Sequence, residues 1–253
     1  MEPTIYFVIP CYNEEAVLPE TTRRLAEKLQ AMQSAGLIGK DSRVLYVDDG
    51  SKDKTWQLIS QFHQEYPWVE GVKLAHNRGH QNALLCGLMT AKDRCDAAIS
   101  MDADLQDDID ALDQFVTKFR EGCDVVYGVR NKRDTDTWFK RTTAEGFYKV
   151  MHLLGVDVVF NHADYRLMSQ RALEALSEYR EENLFLRGIV PLIGYRSDTV
   201  YYDRHERFAG ESKYPLKKMI SFALDGITSF SVKPLKLISN LGILISVLSI
   251  FGL

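Results

Sequence analysis

The sequence lacks any pair of cysteines at metal-binding or redox spacing. Its 253 residues include four cysteines, none of which forms a CxxC pair, and no histidine lies at zinc-finger spacing. These absences exclude a zinc finger, and we expect four reduced thiols in a cytosolic compartment. The thiols are Cys11, Cys86, Cys95 and Cys123.

The chain also lacks an excess of positive charge. Its 31 lysines and arginines are outnumbered by 35 aspartates and glutamates, which gives a formal net charge of -4. A general nucleic-acid-binding protein normally needs a basic face, so we expect no nucleic-acid partner. Hydrophobic residues make up 45% of the chain, which is ordinary for a folded protein with one large or two small domains.

The two ends of the sequence differ in character. The N-terminal residues lack the basic and apolar regions of a cleavable signal peptide, so we expect none. Residues 241–253 carry no charge, and their apolar character reaches back to Leu235. A membrane-spanning helix needs about 20 apolar residues. We expect residues 235–253 to be the first part of a truncated transmembrane helix; a buried terminal helix is the alternative.

Short β-branched runs alternate with longer helical patterns in the first half of the chain. The predicted strands cover residues 5–9, 44–47, 69–74, 97–101 and 125–129. Apolar residues at i, i+3 and i+4 spacing predict helices over residues 14–35, 55–66, 81–91 and 109–121. This alternation predicts an α/β fold with a mostly parallel sheet and helices on both faces. Beyond residue 130 we expect helices over 138–154 and 170–178 and a strand over 196–202.

A polar cluster follows each of the first four predicted strands. The clusters read PCYNE (10–14), DDGS (48–51), NRGH (77–80) and SMDADLQDD (100–108). Each cluster alone suits a turn or a helix cap. Ligands of such sheets bind outside the carboxyl ends of the strands, so the four clusters together predict a site at this edge.

The fourth cluster crowds aspartates together, and neighbouring carboxylates repel each other. If the strand stays extended, Asp102 and Asp104 point the same way and Gln106 can add a third oxygen, a set that suits Mg²⁺ or Mn²⁺. A calcium loop beginning at Asp102 would need Gly and Glu where the chain has Asp107 and Asp113, which argues against that reading. A cation with few protein ligands binds phosphate oxygens, so the cluster indicates a phosphate-bearing substrate.

Six motifs occur in order along the chain: IPCYNEE, VDDGSKDKT, NRGHQNAL, MDADLQD, ADYRLMS and RFAGESKY. Together they resemble the family 2 glycosyltransferases of the GT-A fold, and specifically the polyprenyl-phosphate glycosyltransferases, the group of the dolichol-phosphate mannose synthases and bactoprenol glucosyltransferases. The resemblance covers roughly residues 4–235. Processive members of the family carry QxxRW, which this chain lacks.

The resemblance implies a role for each site residue. The metal and the donor diphosphate would be held by Asp102, Asp104 and Gln106. The nucleotide would be lined by Pro10, Tyr12, Glu14, Asp48 and Asp49. Donor and acceptor phosphates would be neutralised by Arg130, Arg207, Ser212 and Lys213. Asp164 would act as a base, or would orient the acceptor or an arginine.

The resemblance also implies a lipid acceptor. A polyprenyl phosphate such as undecaprenyl phosphate is already ionised at neutral pH, so we expect in-line displacement with inversion, driven by alignment and charge neutralisation. Residues 1–212 would form a cytoplasmic catalytic domain, and residues 213–234 an interfacial amphipathic region. Lysines flanking that region favour the cytoplasmic face of the inner membrane. Homo-oligomers could form through membrane helices.

The resemblance favours UDP-glucose as the donor and a lipid-linked sugar for cell-envelope glycosylation as the product. Two alternatives stay open. One is a nucleotide-sugar transferase that acts on a protein or polysaccharide hydroxyl. The other is a non-catalytic, membrane-attached subunit that binds nucleotide sugars, although the intact DxD and RFAGESK motifs argue against it.

Overall fold

A seven-stranded sheet forms the framework of the protein. The computed structural model describes residues 2–131, 162–180, 185–204 and 233–251. The strands are β1 (Ile5–Cys11), β2 (Arg43–Asp48), β3 (Val69–Lys73), β4 (Ala97–Ser100), β5 (Val125–Arg130), β6 (His162–Ser169) and β7 (Ser197–Tyr202). The helices are α1 (Leu18–Ser34), α2 (Thr55–Glu65), α3 (His80–Ala91), α4 (Leu112–Arg120), α5 (Gln170–Ser177), α6 (Leu186–Leu192) and α7 (Lys233–Phe251), with a 3₁₀ turn at Ile109–Ala111.

The chain divides into two compact units. The first comprises Met1–Lys132, Asn161–Leu184 and Leu192–Glu211, and it contains the whole sheet. The second comprises Arg133–Phe160, Phe185–Pro191 and Ser212–Leu253, and it contains α7.

The sheet is mostly parallel, as predicted. Its strand order is β3-β2-β1-β4-β6-β5-β7. Among the strands that the structure describes, only β6 runs antiparallel, to β4 on one side and to β5 on the other. The carboxyl ends of β1, β2 and β4 therefore meet at one edge, and the beginning of β6 lies at that same edge.

Central strand β1 shows why both faces of the sheet are covered. All seven of its residues are buried, as expected for a strand with helices on each side. Ile5 and Phe7 belong to the same apolar cluster as Leu25 of α1. Val8 points to the opposite face, where α3 approaches so closely that a Cβ at Gly87 would lie 2.4 Å from Cγ1 of Val8. The prediction of helices on both faces is thus confirmed.

Three local predictions need correction. Helix α1 begins at Leu18 rather than at residue 14. Strand β4 ends at Ser100, residues 103–104 form a turn, and Leu105 has a φ of +59°, so the extended-strand argument for Asp102 and Asp104 is wrong. Strand β6 was not predicted, because the charged Asp164 and Arg166 interrupt its apolar pattern. The predictions for residues 138–154 and 213–234 lie outside the described residues.

The expected transmembrane segment at residues 235–253 is not supported. In the described ranges, no helix is both long enough and apolar enough to cross a membrane. Helix α7 has 19 residues, which corresponds to about 28 Å, and Lys233 and Lys236 occupy its first turn. Several of its large side chains, including Ile243, Leu248 and Phe251, are exposed.

The turn after β2 yields a stability prediction. Gly50 has a φ of +67°, and a Cβ there would lie 2.6 Å from the carbonyl carbon of His76. We expect Gly50→Ala to lower the free energy of unfolding by at least about 3 kcal/mol, from backbone strain and overlap together. Gly194→Ala is the matched control. Gly194 also has a positive φ, of +73°, but a Cβ there would lie 3.9 Å from its nearest neighbouring atom. This substitution should cost only about 1 kcal/mol. Equal losses in urea denaturation would contradict the steric explanation.

Candidate active site

The loops after β1 and β2 are tied together by hydrogen bonds. The N–H of Asn13 donates to Oγ of Ser51 (2.9 Å), and the N–H of Lys52 donates to Oδ1 of Asn13 (2.8 Å). The N–H of Glu14 donates to Oγ1 of Thr55 (2.9 Å). These contacts hold the two loops together, so the predicted nucleotide-binding residues at the ends of β1 and β2 lie near one another. Those residues are Pro10, Tyr12, Glu14, Asp48 and Asp49.

Asp48 and Asp49 are adjacent and buried, but their carboxylates differ in the hydrogen bonds that they accept. Oδ1 of Asp48 accepts the N–H of Ser51 (3.0 Å), while its Oδ2 is buried with no hydrogen-bond partner among the described residues. Both oxygens of Asp49 accept backbone N–H groups, from Arg78 (2.6 Å) and Gly79 (3.0 Å). A buried acceptor without a partner is costly, so Asp48 suits a ligand donor such as a ribose hydroxyl. Asp49 instead anchors the loop before α3.

Antiparallel pairing of β4 and β6 brings the loop after β4 next to Asp164. Ser100, the last residue of β4, pairs with Arg166 of β6. Oγ of Ser100 donates to the backbone oxygen of Asp164 and lies 3.2 Å from that of Arg166. Asp102 follows Ser100 by two residues, outside the strand, and the charge of Asp164 is one of the causes that raise its pKa. The two predicted site carboxylates are therefore neighbours.

His80, the first residue of α3, lies between these two carboxylates. Its Nε2 is 3.3 Å from Oδ2 of Asp164 and 3.8 Å from Oδ1 of Asp102. Nε2 of Gln81 donates to the same Asp164 oxygen over 3.4 Å. The sequence assigned no role to His80; its place in the strand-end cluster NRGH was the only signal available.

Carboxylates outnumber basic groups around Asp102. Burial is the main cause that raises the pKa of Asp102 to about 6; the charges of Asp107, Asp104 and Asp164 act in the same direction, and His80 opposes them. The side chain nevertheless keeps 37% of its surface exposed, so an ion can reach it. Hard oxygen donors with surplus negative charge fit a divalent cation such as Mg²⁺ or Mn²⁺.

A cation at this edge would have few protein ligands. Among the residues that the structure describes, no three His, Cys, Asp or Glu side chains are arranged to hold a metal ion. Asp102 and Asp104 supply two carboxylates, and Oδ1 of Asp104 accepts the N–H of Gln106 (3.1 Å). Oε1 of Gln106, the predicted third ligand, accepts a hydrogen bond from the guanidinium of Arg204. Open coordination positions suit an ion that also binds donor phosphates.

Two arginines lie close to the aspartate loop. Nε of Arg130 donates to the hydroxyl of Tyr202 (3.1 Å), and its Nη2 is 3.4 Å from Oδ1 of Asp107. The Tyr202 hydroxyl itself donates to Asp107 (2.6 Å). Burial, followed by the charge of Arg130, lowers the pKa of Arg204, although a guanidinium stays protonated in proteins. Two neighbouring cations favour an anionic ligand.

Three of the predicted phosphate-binding residues, Arg207, Ser212 and Lys213, lie outside the described residues. The structure therefore brings together Asp102, Asp104, Gln106, Arg130 and Asp164, and adds His80 and Arg204 to them.

The raised pKa of Asp102 predicts a gain in stability for Asp102→Asn without metal. A carboxyl whose pKa is raised on folding contributes stability below pH 4 that is lost as the pH rises through about 6. A shift of two units would correspond to nearly 3 kcal/mol, but partial exposure screens it, so we expect about 1 kcal/mol at pH 7.5.

The gain should shrink as the pH falls and vanish below about pH 3.5, where the Asp102 carboxyl is protonated in both the folded and the unfolded protein. Urea denaturation in EDTA at both pH values measures it. Asp41→Asn changes a carboxylate that is 86% exposed and should have no such effect. A stability gain of the same size at both pH values would show that the gain does not come from the raised pKa of Asp102.

Comparison with known proteins places these residues in context. The sequence profile described as Glycosyl transferase family 2 matches residues 6–177. The chain is 56% identical over 248 residues to the uncharacterized glycosyltransferase YkoT of Bacillus subtilis (strain 168), covering 98% of this chain and 74% of that protein. It is 36% identical over 253 residues to the prophage bactoprenol glucosyl transferase homolog of Escherichia coli (strain K12), covering 98% and 79%.

A solved structure shows the same fold. The mannosyltransferase PcManGT from Pyrobaculum calidifontis, in complex with GDP-Man and Mn²⁺, matches with a TM-score of 0.58 at 19% identity. The match covers 84% of this chain and 59% of that chain, so this chain spans less than two thirds of the solved protein. The likeness establishes a GT-A-like α/β fold. With the family profile matching more than half of its residues, this chain belongs to glycosyl transferase family 2.

Proposed function

We propose that this glycosyltransferase transfers glucose from UDP-glucose to polyprenyl phosphate, such as undecaprenyl phosphate, with inversion at the anomeric carbon. The product would be a lipid-linked monosaccharide for cell-envelope glycosylation. The observation that carries the proposal is the juxtaposition of Asp102 and Asp164 at one sheet edge, beside Arg130 and Arg204. The similarity to the bactoprenol glucosyl transferase homolog, over 98% of this chain, supports the choice of acceptor and sugar.

The donor would bind along the ends of β1, β2 and β4. Oδ2 of Asp48, which has no hydrogen-bond partner among the described residues, would accept a hydrogen bond from the nucleotide, and Tyr12 and Glu14 lie on the adjoining loop. Asp102 and Asp104 would hold Mg²⁺ or Mn²⁺, an ion that acts as a Lewis acid on the departing diphosphate. The complex of PcManGT with GDP-Man and Mn²⁺ supports this assignment through the shared fold.

The acceptor would approach from the side of β6. A lipid phosphate carries an ionised oxygen, so attack requires orientation and charge neutralisation more than proton removal. Arg130 and Arg204 offer the positive charge, and Asp164 would orient the acceptor rather than serve as an obligatory base. Oxygen attack on the anomeric carbon from the face opposite the nucleotide breaks the bond to the diphosphate, which leaves with that bond's electron pair.

Acting on a lipid phosphate requires access to a bilayer surface. The exposed apolar side chains of α7 and the lysines near its start support a location at the membrane. The proposal places the catalytic unit at the cytoplasmic face of the inner membrane. It also includes assembly into homo-oligomers.

The proposed reaction predicts where a labelled sugar goes. Purified protein, Mn²⁺, UDP-[¹⁴C]glucose and undecaprenyl phosphate should yield label in the organic phase. Asp102→Asn should reduce the rate at which label enters the organic phase by at least about 100-fold, because the departing diphosphate would lose its cation. Asp41→Asn, on the exposed loop before β2, should leave the rate unchanged.

Other outcomes would contradict the proposal. Label on protein or polysaccharide would indicate a hydroxyl acceptor. Binding of UDP-glucose without release of UDP, under any acceptor tested, would indicate a non-catalytic subunit.

A further inference from the structure

The imidazole of His80 occupies the gap between two carboxylates that differ in exposure. The Asp164 side chain is 9% exposed, whereas that of Asp102 is 37% exposed. The His80 ring is itself 31% exposed, so it borders the open site. Its Nε2 is closer to the buried carboxylate, at 3.3 Å, than to the open one, at 3.8 Å.

The backbone position of His80 is fixed by a different strand. Asp49, directly after β2, accepts the N–H groups of Arg78 and Gly79, the two residues before His80. Gly79 has a φ of +89°, which lets the chain turn from that anchor straight into α3. The backbone of His80 is therefore positioned by the loop after β2, while its side chain reaches Asp102, after β4, and Asp164, on β6.

The Asp164 carboxylate is held from both sides. Its Oδ2 faces Nε2 of His80 and the amide nitrogen of Gln81. Its Oδ1 lies 4.0 Å from Nη2 of Arg166, a buried side chain on the same strand. Without the donor at His80, repulsion from Asp102 would turn the Asp164 carboxylate away from its present orientation.

We propose that His80 is a positioning residue that fixes the Asp164 carboxylate for sugar transfer. This inference rests on the proposed function, in which Asp164 orients the acceptor. The role needs an N–H donor at the Nε2 position and no change of charge. A glutamine amide nitrogen can reach the same place, so His80→Gln should retain the role and His80→Leu, of similar volume, should abolish it.

The first test needs neither donor nor acceptor. Thermal midpoints are measured for the wild type, His80→Leu, Asp164→Asn and the double variant in EDTA. We expect His80→Leu to lower the midpoint by about 3 °C or more in the wild type and by less than about 1 °C in Asp164→Asn. Equal shifts in both backgrounds would overturn the contact on which the proposal stands.

The second test separates positioning from general structural damage. The rate of UDP release from UDP-glucose is measured with undecaprenyl phosphate, and it reports transfer to any acceptor, including water. His80→Leu should lower kcat by about 30-fold or more and change KM for UDP-glucose by less than about threefold. His80→Gln should stay within about fivefold of the wild-type kcat.

His76→Leu is the matched control, since this exposed histidine of the same loop contacts the side chain of Arg78 and should leave kcat unchanged. A loss confined to KM, or equal losses in His80→Leu and His80→Gln, would overturn the proposal. If the wild type releases no UDP, the proposed function fails, and the thermal cycle alone decides the role of His80.

Discussion

Repulsion among carboxylates at one sheet edge is the constraint around which this protein is built. Each carboxylate there has a different kind of partner: a tyrosine hydroxyl and a guanidinium for Asp107, an imidazole and an amide for Asp164, and a backbone N–H for Asp104. Burial, together with the charges of Asp107, Asp104 and Asp164, raises the pKa of Asp102. The proposed cation would relieve this unfavourable electrostatic free energy on binding.

Adjacent residues of one motif serve opposite purposes. Both oxygens of Asp49 are used by backbone N–H groups, and one oxygen of Asp48 has no partner among the described residues. The first arrangement anchors the loop before α3, and the second leaves a buried acceptor whose desolvation is not compensated. In the proposed function Asp49 would thus preorganise the site, and Asp48 would accept a hydrogen bond from the donor nucleotide.

The sequence predicted the features that depend on local periodicity. Alternating strands and helices, and the polar clusters at strand ends, follow from patterns within short windows. Strand β6 was not predicted, because Asp164 and Arg166 break its apolar pattern and its pairing partners lie 33 to 72 residues away along the chain. His80 was missed because a histidine after a glycine carries no signal until α3, β4 and β6 are placed together. The turn at residues 103–104 depends on a left-handed Leu105 that no local pattern indicated.

The reversed direction of β6 decides how the two site carboxylates are supported. Because β6 runs antiparallel, Asp164 stands near the beginning of a strand, and pairing with β4 and β5 holds that strand on both sides. Asp102 instead lies in the loop that follows β4. Backbone movement of that loop therefore need not displace Asp164, so one carboxylate can adjust its position while the other stays fixed.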